Sequence, residues 1–166
     1  MQDKKNIHTI SLLVANKPGV LVRVSLVFAR RGFNIDALSV SPTVNPRYSR
    51  MTITAQGDPA TLDQIIKQTA KLVDVIHSSE HSGQESIQRE LALMKIRCTA
   101  SSKSILMKLF QKFNAQVIDS DKDLIIIEQM GTTEQLDELE SQLKKHGVVE
   151  MVRSGKLVLV KGLEET

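Results

Sequence analysis

The sequence predicts an α+β protein made of two tandem βαββαβ modules. Alternating apolar residues indicate strands, and apolar stripes at helical spacing lie between them. The order strand, helix, two strands, helix, strand occurs twice, and a polar segment around Gly83 separates the two copies. We therefore predict modules at residues 1–80 and 89–166, joined by a linker at 81–88. A chain of 166 residues is long enough for two small domains.

The first module starts with a strand in which apolar residues alternate with a second row of side chains: Ile10, Leu12 and Val14 against Thr9, Ser11 and Leu13. A Pro-Gly turn ends this strand, and a helix with apolar residues at helical spacing follows. The apolar phase changes near Ala37, which indicates a β-bulge in the second strand. We predict strands at 7–15, 33–41, 51–55 and 72–78, and helices at 20–28 and 59–69. Both helices can cover one face of a four-stranded antiparallel sheet, an order typical of ferredoxin-like folds.

The second module repeats this order. We predict strands at 91–99, 115–118, 124–130 and 148–152, helices at 105–113 and 136–143, and a further short strand at 157–160. A local match supports the repeat: GDPATLDQI at 57–65 aligns with GTTEQLDEL at 131–139. Because both copies combine a turn with a helix start, the match indicates a duplicated fold element and not a shared site.

The composition argues against several classes of protein. Apolar residues make up 41% and charged residues 25%, as in globular proteins, and the net charge of +3 is dispersed. Aromatic residues are only 3%, and the predicted central strands contain none, which disfavours an RNA-recognition module. Cys98 is the only cysteine, so neither a disulfide framework nor a copper-binding Cys pair can form, and we expect a buried thiol. No apolar stretch fits a signal peptide or a membrane span, and we expect a cytoplasmic protein.

No catalytic or metal-binding constellation is predicted. The four histidines are scattered, and we expect the pair His77 and His81, at the end of a strand, not to share one face. The sequence contains no P-loop, no nucleotide-binding glycine motif, no nucleophile elbow and no HExxH zinc motif. Packing or surface roles are therefore the interpretation we prefer for these side chains.

The segment from Asn16 to Leu21 is the strongest candidate binding site. It connects a strand to a helix whose first amide groups lack intrahelical partners, and such a terminus attracts anions. Amides near Gly19 and Leu21 suit a carboxylate, while glycine allows a ligand to approach closely. Asn16 and Asn34 carry neutral amides that accept from an ammonium or donate to a carboxylate, so the set suits a zwitterion better than a metal. Ordinary turn roles explain the two asparagines equally well.

Several longer stretches resemble one family. The stretches are ISLLVANKPGVLVRV at 10–24, FARRGFNIDALSV at 28–40, YSRMTI at 48–53, KLVDVI at 71–76, RELALMK at 89–95 and VRSG at 152–155. Together they resemble the small regulatory subunits of acetolactate synthase, also called acetohydroxyacid synthase. The resemblance covers nearly the whole chain and is looser in the second module.

The resemblance implies an N-terminal ACT domain that pairs side by side with a second copy and binds valine at the dimer interface. It places the effector's carboxylate at Asn16, Gly19, Val20 and Leu21, and it adds Asn34 and Ile35 from the other protomer. It also implies a partner, the catalytic large subunit, which carries thiamine diphosphate, magnesium and usually FAD, so that this chain needs no cofactor. A small subunit of this kind activates the large subunit and makes it sensitive to feedback. The alternative is a free-standing ACT-type sensor acting on another enzyme or on a transcription factor, although no DNA-binding helix-turn-helix is visible.

Overall fold

The structure is a computed structural model, and it describes residues 7–163 and residue 166. The chain divides into two compact units. The first comprises Met1–Gln88 and Gly155–Thr166, and the second comprises Arg89–Ser154. This division differs from the predicted modules at the C-terminal end, because residues 155–166 group with the first unit and not with the second.

The first unit has the predicted βαββαβ order. Its elements are β1 (Ile7–Ala15), α1 (Val20–Ala29), β2 (Ile35–Pro42), β3 (Tyr48–Gln56), α2 (Pro59–Thr69) and β4 (Val75–Glu80). The four strands form an antiparallel sheet in the order β2-β3-β1-β4, so β1 and β3 are central and β2 and β4 are edges. The predicted fold class is confirmed for this unit.

The core of the first unit lies between the sheet and the two helices. Ile10, Leu12 and Val14 alternate along β1 and are fully buried on one face of the sheet. On α1, Val24 and Phe28 lie four residues apart and pack against that face, because this spacing places side chains on one side of a helix. The prediction that the helices share one sheet face is therefore confirmed.

Two local features of the first sheet bear on the sequence predictions. The register of β2 against β3 shifts between Ile35 and Ala37, which confirms the predicted bulge. The last strand begins at Val75 and not at Leu72, so that boundary was wrong. Leu72 donates its backbone N–H to the carbonyl of Thr69 and packs on the core, so it ends the helix turn instead of starting the strand.

The second unit repeats the architecture. Its elements are β5 (Ser86–Arg97), α3 (Lys103–Phe113), β6 (Gln116–Asp121), β7 (Leu124–Gly131), α4 (Thr133–Leu143) with a short 3-10 turn (Lys144–His146), and β8 (Val148–Arg153). The strand order is β6-β7-β5-β8. The last strand of the chain, β9 (Leu157–Val160), falls in the first unit together with the start of β5, and it pairs with β5. Because β5 begins at Ser86, the stretch without regular structure is shorter than the predicted linker. Cys98 is buried, as predicted.

The matching segments at 57–65 and 131–139 are helix starts. Asp58 accepts a hydrogen bond from the backbone N–H of Thr61 at 2.9 Å, with Pro59 in the first turn. Thr132 and Gln135 form a reciprocal capping box. Both segments therefore satisfy amide groups at the start of a helix, which confirms the structural interpretation of the repeat.

An ion network joins β5, β8 and α4 in the second unit. The Glu90 carboxylate is nearly fully buried, and it accepts hydrogen bonds from Arg153 Nε at 3.0 Å and Nη2 at 2.6 Å. The same carboxylate accepts from the Thr133 hydroxyl at 2.5 Å, and Arg153 also donates to Asp137 at 2.5 Å. Burial alone would lower the pKa of Arg153, but the bonds to Asp137 and Glu90 outweigh it and raise the pKa. The guanidinium therefore stays charged.

Candidate functional site

The turn after β1 is held in place by its backbone. Asn16 does not cap the helix. Instead its backbone N–H donates to the carbonyl of Arg47 at 2.8 Å, and its side-chain amide donates to the carbonyl of Pro46 at 3.0 Å. These bonds tie the turn to the loop that precedes β3. Asn16 thus fixes the position of the predicted site, and the amide nitrogen is already occupied in this structure.

The N-terminus of α1 is open to an anion. Gly19 is the residue before the helix, with φ of +82°, a left-handed conformation that favours glycine. No side chain of the described residues caps this helix, and its first turn carries no acidic residue. Val20 is buried in the core, so only its backbone can face a ligand, whereas Leu21 is 41% exposed. The helix dipole and the first amides make this end locally positive.

Arg23 lies beside this turn, and sequence reasoning missed it. A Cβ at position 19 would lie 3.3 Å from Arg23 Nη1. The other terminal nitrogen of Arg23 donates to the carboxylate of Asp74, which lies just before β4. A spacing of four residues on a helix could have pointed to Arg23, but the contact with Asp74 is too distant in sequence to be predicted. A guanidinium here adds to the attraction for a carboxylate.

Asn34 and Ile35 lie where β2 begins. The side-chain amide of Asn34 donates to the carboxylate of Asp36 at 3.1 Å, and Asn34 is exposed. Ile35 is half-buried and packs against the core of the first unit. The two residues immediately precede the bulge of β2, which is an edge strand of the sheet.

Within one chain the two groups of predicted site residues lie at opposite ends of the sheet. Ala15, next to the turn, pairs with Tyr48 on β3, whereas Ile35 pairs with Ala55 on the same strand. The strand from Tyr48 to Ala55 spans about 23 Å at the usual rise of a β-strand. A single amino acid is far shorter than this distance. The structure therefore brings Asn16, Gly19, Val20 and Leu21 together and leaves Asn34 and Ile35 apart from them.

The outer side of α1 is apolar. Leu21, Val22 and Leu26 are 41%, 61% and 45% exposed, on a helix whose opposite side is already buried. Arg23 is also exposed on this helix, but neighbouring exposed apolar side chains of this kind are typical of a surface that a partner covers. The neighbouring strand β2 is an edge with free pairing capacity along one side. These surfaces lie next to the predicted site residues in sequence.

Two histidines of the first unit share one face, contrary to the sequence prediction. His77 and His81 line the same cleft with Ser79, because β4 continues to Glu80 and alternation in a strand returns every second side chain to one face. His81 Nε2 lies 2.6 Å from Ser11 Oγ and 3.1 Å from Ser79 Oγ. Ser11 is fully buried, so a substrate cannot reach its hydroxyl. The pair is a packing contact, and burial lowers the pKa of His81.

The described part of the chain offers no metal cluster and no membrane helix. Over residues 7–163 and 166, no group of three or more His, Cys, Asp or Glu side chains is arranged to hold a metal ion. None of the helices in those same ranges is long and apolar enough to cross a membrane.

Two family models match this chain, each over a different part of it. Residues 10–77, which contain the open helix terminus, match the family model described as an AHAS small subunit-like ACT domain. Residues 89–162 match the model described as small subunit of acetolactate synthase. The first unit is thus an ACT domain. The chain belongs to the acetolactate synthase small-subunit family.

Relatives of nearly equal length support this assignment. The probable acetolactate synthase small subunit of Archaeoglobus fulgidus is 39% identical, and the alignment covers 93% of this chain and 97% of the relative. The acetolactate synthase small subunit of Mycolicibacterium smegmatis is 41% identical, and the alignment covers 93% of this chain and 91% of the relative. The crystal structure of the small subunit from Thermotoga maritima superposes with a TM-score of 0.85 at 34% identity, covering 96% of this chain and 99% of that one.

Proposed function

We propose that this chain is a non-catalytic regulatory subunit of acetolactate synthase. In this role it binds valine at its ACT domain, activates a separate catalytic subunit and makes that subunit sensitive to feedback in branched-chain amino acid biosynthesis. The names of the relatives support the assignment to the enzyme complex. The thiamine diphosphate, magnesium and FAD of the reaction then belong to the catalytic subunit.

The separation of the two predicted half-sites carries the proposal. One half lies at the N-terminus of α1 and the other at the start of β2, about 23 Å apart along β3 by the usual strand rise. A homodimer removes this separation if two chains meet through α1 and β2. In a two-fold dimer the contact repeats itself, so each Gly19 turn meets Asn34 of the second copy and two equal sites form. The exposed apolar side of α1 gives such a dimer a surface to bury.

The chemistry of the half-sites suits an amino acid. The open amides of α1, with Arg23 beside them, offer donors and positive potential to a carboxylate. Asn34 offers an amide oxygen to an ammonium group. Leu21 and Ile35 supply apolar surface for an aliphatic side chain. Regulation then consists of a coupling free energy between this site and the catalytic subunit. Valine changes how the catalytic subunit binds, and the catalytic subunit changes the affinity for valine by the same factor.

Measurements of mass, of valine binding and of the activity of the complex test the proposal. Light scattering should give at least a dimeric mass for the purified chain, and calorimetry should show saturable binding of L-valine. The chain should co-purify with its catalytic subunit and raise the rate of acetolactate formation from pyruvate, and valine should reduce that rate. A strictly monomeric chain that still binds valine would contradict the shared site. Valine binding without any effect on the catalytic subunit would favour the free-standing sensor.

A further inference from the structure

Residues 155–161, here called the strap, begin with Gly155 and Lys156 on the face of the first sheet that the helices do not cover. Gly155 is buried and has φ of +74°, and a Cβ there would lie 3.0 Å from the Cβ of Ala37 on β2. The ammonium of Lys156 donates to Thr9 Oγ1 on β1 and to Gln88 Oε1, each at 3.2 Å. The strap therefore contacts both an edge strand and a central strand.

The register of the sheet shows which row the strap crosses. Ala37 on β2 and Thr9 on β1 both pair with Thr54 on β3, so the three residues form one row across the sheet. The strap contacts the two outer members of this row. Thr54 in the middle is buried although it is polar. Residues that come after the second unit in the sequence thus contact this row of the first sheet at two of its three positions.

Both ends of the strap are fixed. At its start, the backbone N–H of Ser154 donates to the carbonyl of Leu91 at 2.9 Å, and the Ser154 hydroxyl accepts from the N–H of Leu91 at 3.0 Å. These two residues belong to the second unit. At its far end, Lys161 donates its backbone N–H to Glu85 and its ammonium to the carbonyl of Gln84. The strap is therefore not a loose tail.

The strap contacts β2 immediately behind the predicted effector residues. Ala37 directly follows the bulge at Asp36, and Asp36 accepts the hydrogen bond from Asn34. Any shift of Gly155 against Ala37 therefore moves the segment that carries Asn34 and Ile35. Packed interiors transmit such shifts because they have few voids to absorb them.

We propose that the strap positions β2 and thereby sets the affinity of the effector site, and that it links this affinity to the second unit through the chain at Ser154. The inference rests on the proposed effector site. Gly155, Ala37 and Lys156 are positioning residues in this scheme, since none of them belongs to the predicted contact set. Effector binding at β2 in turn favours one position of the strap, because coupling between two sites is reciprocal.

The test uses the full chain and a matched pair of glycines. In Gly155→Ala, the new methyl group would press on Ala37, because ordinary contacts between carbon atoms lie near 3.5–4.0 Å. In the control Gly162→Ala, φ is +86° and the new methyl group meets no heavy atom of the described residues within 4 Å. Both changes impose the same left-handed strain, and only the first displaces β2.

Calorimetry with L-valine should show affinity weakened about tenfold in Gly155→Ala, within the range typical of coupling between sites, and unchanged in Gly162→Ala. The second change Ala37→Gly should restore valine affinity in the Gly155→Ala background, because it removes the methyl group that the new one meets. Ala37→Gly alone serves as the reference for that double change. Circular dichroism of every variant checks that the fold is retained.

Equal valine affinity in the wild type and in folded Gly155→Ala would overturn the inference. A loss that Ala37→Gly does not restore would also overturn it, because the effect would then come from backbone strain and not from β2. If Gly155→Ala does not fold, Lys156→Met provides the same comparison by removing the bonds to Thr9 and Gln88. A wild-type chain that fails to bind valine at all would instead refute the proposed effector.

Discussion

Replacing Gly19 by aspartate should abolish feedback inhibition by valine while leaving activation of the catalytic subunit largely intact. The new carboxylate would stand where the effector's carboxylate is expected, next to the open amides of α1. It would also stand within reach of Arg23, whose Nη1 is 3.3 Å from the position of a Cβ at residue 19. The variant therefore supplies its own anion to the donors that valine needs.

The expected size of the effect follows from the lost interaction. A hydrogen bond to a charged group contributes about 1.5–3 kcal/mol, which corresponds to a loss of about ten- to a hundred-fold in affinity. Repulsion between two carboxylates adds to this loss. Gly19→Ala separates the factors, since it introduces the Cβ and the left-handed strain without the charge, and it should weaken binding less. Asn34→Ala deletes an amide without adding charge and should also be milder.

Calorimetric titration of L-valine into these variants, together with activation assays on the catalytic subunit, measures both quantities. Gly162→Asp is the matched control, because Gly162 also has a positive φ and lies outside the predicted site. Undiminished valine binding by Gly19→Asp would refute the placement of the carboxylate at the start of α1. Loss of activation together with binding would instead indicate that the variant no longer folds or no longer assembles.

Three further outcomes are expected from other parts of the chain. Because burial lowers the pKa of His81 below its ordinary value of 6.5, the unfolded chain binds the proton more tightly. The free energy of unfolding should therefore fall as the pH drops below 6.5, and urea denaturation at several pH values should show a weaker fall in His81→Gln. Arg153→Met leaves Glu90 buried without its partner and should lower the free energy of unfolding by roughly 3–5 kcal/mol; a loss below about 1 kcal/mol would contradict a buried ion pair. Leu26→Glu on the exposed side of α1 should give a monomeric mass in light scattering, whereas Val44→Glu in an exposed loop should not.

Most of the fold could be predicted from periodicity, because each sheet packs one apolar face against its helices. Ile10, Leu12 and Val14 show the alternation of a half-buried strand, and the local match at 57–65 and 131–139 marks two capped helix starts. Boundaries were less certain where a side chain packs on the core outside a regular element. Leu72 is apolar and contacts the core, but it belongs to a turn, so hydrophobicity alone extended the strand too far.

The candidate site was only partly accessible from the sequence. The turn at Gly19 has a local signature, since glycine, proline and the following apolar stripe are adjacent in the chain. The contact of Arg23 with Asp74, and that of Gly155 with Ala37, join residues far apart in sequence and leave no local pattern. The return of residues 155–166 to the first unit could not be predicted for the same reason, and the strand at 157–160 is apolar throughout, so its pattern does not indicate which unit it joins.

The order in which the chain is synthesised determines when the polar face of the first sheet becomes covered. A ribosome releases residues 1–88 first and the second unit next, and residues 155–161 emerge only afterwards. Until then the hydroxyl of Thr9 lacks its contact with Lys156, although Thr9 is buried in the finished fold. Hydroxyl groups remain hydrated while they are exposed, whereas an exposed apolar face would promote aggregation of the growing chain. The composition of this face thus fits a domain whose first and last pieces are made at different times.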